Sequence, residues 1–154
     1  MEMSYVVQVL MALIGAIGFG WLFHVPVSKL VAIGLGGALD WIAYLVAFEL
    51  TGGRVFAFFV AALATAAVAE VTARVLRTPV LTLMVPMMVP LVPGGDLYYT
   101  TLALVSGDTE RFTHMGSLVL KEAGVISFGI ILAGCAVQAV LHILAFVRQG
   151  KKAH

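Results

Sequence analysis

The sequence predicts an all-α membrane protein with about five transmembrane helices, the fourth of them interrupted by a break rich in proline and glycine. Composition is the first reason: 62% of the 154 residues are hydrophobic and 11% are charged, with a mean hydropathy of +1.08. In soluble domains about a quarter of the residues are charged. The second reason is that the apolar residues form separate runs, each close to the ~20 residues that cross a bilayer core. The length suits a single helical domain that comprises residues 1–154.

Composition and motifs also exclude several classes of function. The net charge of +1 argues against a nucleic-acid partner. The single cysteine, Cys135, cannot form an intrachain disulfide or a multi-cysteine metal site. The sequence has no His-Glu-x-x-His zinc motif and no Gly-x-Ser-x-Gly nucleophile turn, so we expect no enzymatic activity, no metal and no cofactor. No basic residue precedes the first apolar run, which therefore predicts a retained span rather than a cleaved signal.

The spans are predicted from the lengths and limits of the apolar runs. They lie at about residues 5–23, 30–48, 55–76, 80–104 and 123–146, with the fourth broken near residues 93–95. Pro26 should begin the second span, because proline is tolerated at the start of a helix but not in its interior. Residues 105–121 are the longest polar connection, and Asp108 within it is placed to cap the start of a helix.

Small residues recur at helical spacing in the second and third spans. In the second span they are Gly34, Gly36 and Gly37. In the third span they form a stripe at every fourth position, made of Ala57, Ala61, Thr65 and Ala69. Small residues let helix backbones approach closely within a membrane, so both sets predict tight helix–helix contacts.

The interruption of the fourth span lies in residues 85–101, VPMMVPLVPGGDLYYTT. Its helix-disturbing residues are Pro86, Pro90, Pro93 and the pair Gly94-Gly95. Proline removes a backbone donor and clashes with the preceding turn, and glycine adopts conformations that other residues avoid. We therefore expect the helix to break near Pro93 and to restart around Asp96. A break at membrane depth must face protein or a water-filled cavity, and it points to a transport site.

This break defines the candidate substrate site. The residues that would shape the break are Pro93, Gly94 and Gly95, and those that would contact the substrate are Asp96 with Tyr98 or Thr100. Half-helix N-termini attract a carboxylate and acidic groups attract an ammonium, so the site suits a zwitterion. Asp96 has an alternative role as the cap of the restarting helix. Tyr98 has an alternative role as an aromatic residue at the membrane interface.

Two further acids are candidates for carrying a coupled proton. Asp40 falls near the middle of the second span, where a charge costs at least ~2.5–3.5 kcal/mol and so must face protein or water. Its alternative role is a carboxyl that hydrogen-bonds a neighbouring helix. Glu70 lies in the third span, four residues before Arg74. That spacing suits a helical ion pair, which is the alternative to a role in transport.

The basic residues predict the orientation. One side of the membrane receives Lys29, Arg74, Arg77, Arg148, Lys151 and Lys152, and the other receives Arg54, Arg111 and Lys121. Since cytoplasmic loops carry the excess of basic residues, we expect the N-terminus outside and the C-terminus in the cytoplasm. If the interrupted element is instead a re-entrant pair, the two termini fall on the same side.

Residues in and around the break follow the pattern of a known family. They are Glu70, Ala73-Arg74, Pro79, Pro86, Pro90–Gly95 and Leu97–Thr100, with weaker matches at Gly18–Gly20, Phe23–Pro26 and Ser106–Asp108. With them the chain resembles, over most of its length, the small membrane subunit of the bacterial threonine/serine exporter family. The resemblance implies proton-driven export of threonine or serine, and a larger membrane subunit as the partner. It also implies a site in the bacterial cytoplasmic membrane, surrounded by lipid.

Two positions depart from this family pattern. The resemblance leads us to expect glycine before Trp41, where Asp40 stands, and a small or neutral residue in place of Asp96. The two acids are therefore not landmarks of the family, which leaves room for an altered substrate. Since the chain is short for a complete transporter, a partner or a homo-oligomer is expected on independent grounds. The alternative to transport is a membrane scaffold that stabilises or targets a partner.

Overall fold

The computed structural model describes residues 4–150, with side chains as far as Leu144. Within that range the chain is helical and has no strand, which confirms the all-α prediction. The helices are α1 (Tyr5–Leu22), α2 (Val27–Thr51), α3 (Arg54–Val75), α4 (Val80–Met87), α5 (Gly94–Val105) and α6 (Thr109–Gly150), with a 3-10 turn at Val89–Leu91. The helices that are long and apolar enough to cross a bilayer are α1, α2, α3 and the Thr109–Leu144 part of α6.

Local sequence explains where the first three helices begin and end. Pro26 directly precedes α2, as predicted, because its fixed φ suits the start of a helix. Gly52, with a φ of +64°, ends α2 in the left-handed conformation that glycine adopts without strain. Gly53 then precedes Arg54, so the first side chain of α3 projects from a turn of only two residues.

Close packing holds α1, α2 and α4 together. A Cβ atom placed on Gly36 would lie 2.5 Å from the Met87 sulfur of α4. A Cβ on Gly37 would overlap the Ala16 side chain of α1 and lie 3.2 Å from the carbonyl oxygen of Ala12. A side chain at either position would displace its neighbours, so the predicted close-packing face of α2 is confirmed.

The small-residue stripe of α3 also faces inward. Its four members are fully buried: Ala57, Ala61, Thr65 and Ala69. Against the opposite side of α3, a Cβ on Gly129 of α6 would lie 3.0 Å from the carbonyl oxygen of Phe59. The third helix is therefore packed between α2 and α6, and its small residues are used for contacts within this chain.

The interrupted element breaks earlier than the sequence predicts. Helix α4 ends at Met87, the 3-10 turn follows, and α5 begins at Gly94 rather than around Asp96. Pro86 lies inside α4, and because proline has no N–H to donate, the regular hydrogen bonds of the helix do not continue in the following turns. The described part of the chain shows no positive φ at Gly94, so the break depends on the prolines rather than on glycine conformation.

The two halves of the interrupted element have different neighbours. Helix α4 and the 3-10 turn pack against α1, α2 and α3, whereas the backbone of α5 approaches only α6 among the described helices. At 1.5 Å per residue, α4 is about 12 Å long and α5 about 18 Å, and each is shorter than a ~30 Å bilayer core. Helix α5 begins at the level of Arg54, the first residue of α3, and runs beside the first part of α6, where Thr100 contacts Gly116.

Helix α6 is longer than expected. Most of the predicted polar connection at residues 105–121 is helical, because α6 begins at Thr109, just after the predicted cap, and runs without interruption into the predicted last span. The predicted span at 123–146 is the continuation of the same helix. Asp108 caps it as predicted, since its carboxylate accepts a hydrogen bond of 3.0 Å from the Arg111 amide. No proline occurs after this cap, so nothing in the sequence stops the helix.

Contacts between helices establish their relative directions. Tyr5 at the start of α1 bonds Glu49 near the end of α2, so these helices are antiparallel. Helices α3 and α6 are parallel, because Arg54 contacts Glu122 and, further along both helices, Glu70 faces Gly134. The start of α1 and the start of α3 therefore lie at one end of the bundle, which we call the Arg54 end. The basic tail residues Lys151 and Lys152 lie outside the described residues.

Candidate functional site

An ionic cluster lies at the Arg54 end of the bundle and consists of Arg54, Asp96 and Glu122. Arg54 is the first residue of α3, Asp96 lies in the first turn of α5, and Glu122 lies in α6. The Arg54 Nη2 group donates to the Asp96 carboxylate, and Arg54 Nε lies 3.0 Å from Oε1 of Glu122. One guanidinium thus joins three helices and pairs with two carboxylates.

Glu122 is the member of the cluster with the fewest polar contacts. Its side chain is 0% exposed, whereas that of Arg54 is 42% exposed and that of Asp96 is 12% exposed. The contact with Arg54 has ion-pair distance but not hydrogen-bond geometry. Neither carboxylate oxygen of Glu122 accepts a hydrogen bond from any residue that the structure describes. A fully buried carboxylate without a donor is rare in folded proteins and calls for a functional explanation.

Aromatic rings form one wall of the cluster. The guanidinium carbon of Arg54 lies 5.7 Å from the ring centre of Phe58, within cation–π range. The Tyr44 ring lies 5.0 Å from that of Phe58, and Tyr44 also interacts with Arg54 and Glu122. The rings thus pack against one side of the guanidinium, which remains partly exposed on the other.

Sequence reasoning missed both Arg54 and Glu122 as site residues. Arg54 lies just before the predicted start of the third span, and Glu122 lies just before the predicted start of the last span. Glu122 can be recognised as a site residue only if α6 is known to continue through residues 109–122, because this acid then lies inside a long apolar helix. The absence of proline and the cap at Asp108 were the available signals.

The predicted substrate residues lie at the start of α5. Pro93 precedes the first residue of α5, and a Cβ on Gly94 or Gly95 would meet nothing within 4 Å. Asp96 does not cap the helix, since the residue at the cap position is Pro93 and no side chain bonds the free amides there. Its carboxylate pairs with Arg54 instead. The first turn of α5 therefore keeps unbonded amides next to open space.

Tyr98 and Thr100 differ in their relation to Asp96. The Thr100 hydroxyl donates a 2.6 Å hydrogen bond to the Asp96 carbonyl oxygen, one turn earlier on the same helix face. Tyr98 is exposed and packs edge-on against Tyr99, with ring centres 5.4 Å apart. Of the two, Thr100 is the one placed beside the cluster.

Asp40 lies in the middle of the bundle. It is 0% exposed, and its Oδ1 atom accepts a 2.7 Å hydrogen bond from the Thr65 hydroxyl of α3. Its Oδ2 atom accepts no hydrogen bond from the described residues. Asp40 thus makes the interhelical hydrogen bond that was one of its two predicted roles, and it retains one free acceptor.

Glu70 forms the predicted local pair with Arg74. The distance from Arg74 Nη1 to Glu70 Oε2 is 2.8 Å, and the same nitrogen donates to the Glu70 carbonyl oxygen at 3.0 Å. Arg74 also lines a cavity of about 310 Å³ with Gln138 and His142 of α6. This acid therefore has its own cation.

The acids Asp96, Asp40 and Glu70 do not contact one another. On α3, Asp96 lies beside Arg54, Asp40 lies beside Thr65, and Glu70 is itself a residue of the helix. At 1.5 Å per residue, Thr65 lies about 16 Å along the axis from Arg54, and Glu70 lies about 8 Å further. Asp96, Asp40 and Glu70 therefore occupy three successive levels of the bundle.

A cavity adjoins the break between α1 and α2. Its volume is about 290 Å³, and its lining residues are Gln8, Met11, Ala12, Gly15, Trp41, Val89 and Pro90. The indole N–H of Trp41 donates to the Gln8 side-chain oxygen at 3.1 Å. The cavity volume is near the lower end of the range for small-molecule sites. Among the described residues, no three histidine, cysteine, aspartate or glutamate side chains come together as a metal site would require.

Comparisons with known proteins identify one family. The family model described as "Threonine/Serine exporter, ThrE" matches residues 8–136, which contain the break and all three acid levels. A search of curated proteins and a search of solved structures each gave no match.

Proposed function

We infer that this chain, which belongs to the threonine/serine exporter family and is a component of such an exporter, is the smaller of two membrane subunits. It would export threonine and serine in exchange for protons. The family is one of transporters, not of enzymes. The chain is a multi-pass membrane protein, in keeping with its long apolar helices. We place it in the bacterial cytoplasmic membrane with the Arg54 end outside, following the distribution of basic residues.

One observation carries the proposal: a helix breaks inside the bundle and restarts beside a shared ion pair. Helix α4 and the 3-10 turn pack among α1, α2 and α3, and α5 begins next to Arg54. In membrane transporters, discontinuous helices supply the free backbone groups that bind substrates. The family match favours reading this break in the same way.

The start of α5 has the chemistry that a zwitterionic amino acid requires. Its free amides and positive helix end would attract the substrate carboxylate, and the Asp96 carboxylate would attract the ammonium. Pro93 begins this turn, and the open space over Gly94 and Gly95 would admit the substrate. The hydroxyl of Thr100 lies on the Asp96 face and could bond the substrate hydroxyl, whereas Tyr98 would contact substrate only from the exposed side.

The proton would be carried by an acid that lacks a fixed cation. Asp40 fits better than Glu70, because Asp40 has one free oxygen while Glu70 is held by Arg74. Asp40 also lies on the α2 face of Gly36 and Gly37, against the interrupted element. Proton binding there would change the packing between α2 and α4.

The partner in this proposal is a larger membrane subunit, with a homo-oligomer as the alternative. The scaffold hypothesis loses one of its supports, since the small-residue stripe of α3 is buried within this chain. Much of the outward surface of α1 and α6 is apolar, and it would contact lipid or the partner.

Efflux of labelled threonine and serine tests the proposal. Cells would express this chain alone, a candidate larger subunit alone, or both, and we expect efflux only with both. Efflux from this chain alone would indicate a homo-oligomer, and no efflux in any combination would contradict the proposal.

The variant Gly94→Leu tests whether the open space at the start of α5 is used. A Cβ at position 94 meets nothing within 4 Å, and the rest of the Leu side chain would occupy the space proposed for the substrate, so we expect normal accumulation of the protein but loss of export. The matched control is Gly18→Leu, at a glycine of α1 that also faces open space. Export that persists in Gly94→Leu would favour the scaffold.

A further inference from the structure

We propose that Glu122 is a second proton-binding site of the exporter, in addition to Asp40, created because two carboxylates share the single guanidinium of Arg54. The role of Glu122 in export rests on the proposed function, whereas the binding of a proton by Glu122 does not. No residue of the sequence pattern pointed to Glu122, and its role differs from the substrate contact proposed for Asp96.

Charge balance is the first argument. With all three side chains ionised, Arg54, Asp96 and Glu122 carry a net charge of −1 in a place where Glu122 has no contact with water. An uncompensated charge in such surroundings is strongly unfavourable. One added proton makes the cluster neutral.

The geometry assigns that proton to Glu122 rather than to Asp96. Asp96 accepts a hydrogen bond from Arg54 and is partly exposed, so its charge is stabilised by both a donor and solvent. Glu122 accepts no hydrogen bond from the described residues, and both its oxygens are buried. The two carboxyl groups also face each other, so a protonated Glu122 can donate to Asp96.

The groups that face Glu122 come from every helix packed around it. They are Arg54 of α3, Asp96 of α5 and Tyr44 of α2. Arg54 stays charged, and Tyr44 is neutral under ordinary conditions, so Asp96 is the group whose charge most affects proton binding. Proton binding weakens the attraction between Glu122 and Arg54 and leaves Arg54 paired with Asp96 alone. Because Asp96 belongs to α5, the proton is thereby linked to the position of α5.

Infrared difference spectroscopy measures the proton directly on the purified protein in lipid nanodiscs. Acidification should produce the carbonyl band of a protonated, buried carboxyl group in the wild type, and Glu122→Gln should remove that band. Two controls are Glu110→Gln, an exposed acid on the same helix, and Asp40→Asn, which removes the other fully buried carboxyl with an unbonded oxygen. The Glu122 band should remain in both.

A second variant keeps the test decisive if Glu122→Gln fails to fold. Asp96→Asn leaves one carboxylate for one guanidinium, so the band should then appear only at lower pH, by about one unit or more. A band that is the same in Asp40→Asn with and without Glu122→Gln, or a midpoint that Asp96→Asn does not move, would overturn the inference.

Transport provides the functional readout. The wild type should export threonine faster when the outside is acidic, and Glu122→Gln should abolish that stimulation because it removes the titrating carboxyl, while Glu110→Gln should not. Stimulation that is unchanged in Glu122→Gln would contradict the coupling role. A wild type that transports neither amino acid would overturn the proposed function, and the infrared experiment would still decide whether Glu122 binds the proton.

Discussion

Asp40 and Glu122 are both completely buried carboxyl groups, but the two regions around them are built in different ways. Asp40 lies among closely packed helices and bonds a neutral hydroxyl, that of Thr65. Glu122 lies at the Arg54 end and shares a charged partner with Asp96. The middle of the bundle is therefore stabilised by packing and the Arg54 end by charge.

This difference separates the parts of the molecule that should tolerate change from those that should not. Packing without space, as at Gly37, cannot accept even a methyl group. The start of α5 accepts added atoms but depends on the number of charges around Arg54. Each of the following substitutions compares one region with a matched site elsewhere.

The largest loss of stability is expected for Arg54→Met. Removal of the guanidinium leaves two facing carboxylates without a cation, and we expect a loss of about 2–3 kcal/mol in the free energy of unfolding. This is below the about 3–5 kcal/mol expected for breaking a fully buried ion pair, because Arg54 is partly exposed. The loss should grow with pH, because both carboxyls are then ionised. Arg74→Met is the matched control, since Arg74 has the same 42% exposure but pairs with one acid. It should lose less than about 1 kcal/mol; equal losses in denaturant titrations would contradict the charge-sharing account.

Gly37→Ala should be the next most damaging substitution. Its methyl group would overlap Ala16 and approach the Ala12 carbonyl, so we expect a loss of about 1–3 kcal/mol in the free energy of unfolding. Gly18→Ala, in open space on α1, should be neutral or stabilising by up to about 1 kcal/mol. Similar melting temperatures for the two variants would show that α1 and α2 are not in close contact.

Thr65→Val tests the surroundings of Asp40. It keeps the volume of the side chain but leaves Asp40 without a donor, at an expected loss of about 1–2 kcal/mol. Asp40→Asn retains an acceptor for the Thr65 hydroxyl and should lose less. Thermal unfolding in detergent compares the two, and a larger loss in Asp40→Asn would indicate that the charge of Asp40, not its hydrogen bond, stabilises the bundle.

The smallest effect is expected on substrate affinity in Thr100→Val. Loss of one hydroxyl contact should raise the half-saturating threonine concentration about fivefold, corresponding to about 1 kcal/mol. Thr101→Val is the control, because Thr101 bonds its own helix in the same way but lies on a different face. An equal effect of both variants would mean that Thr100 acts only through helix stability.

The sequence predicts those features that depend on neighbouring residues. Apolar runs locate α1, α2 and α3, and the glycine spacing locates the close contact of α2. The pair Glu70–Arg74 and the cap at Asp108 are confirmed, because each depends on residues three or four positions apart in one helix.

Features that depend on distant residues were not predictable in the same way. Arg54, Asp96 and Glu122 come from helices far apart in the sequence, and no periodicity connects them. The sequence predicts the break near Pro93, whereas α4 already ends at Met87, one residue after Pro86, so the prolines account for the break. Polar residues before Glu122 set the predicted start of the last span at residue 123, but α6 continues through them because a helix tolerates polar side chains on an exposed face.

Export of threonine from proteoliposomes under an imposed pH gradient tests the central claim most directly. The vesicles would contain this chain and the larger subunit, and labelled threonine would be followed with the outside acidic or at the pH of the interior. The account predicts faster export with an acidic exterior, and loss of this difference in Glu122→Gln. Export that is independent of the gradient in the wild type would contradict coupling to protons through the Arg54 end.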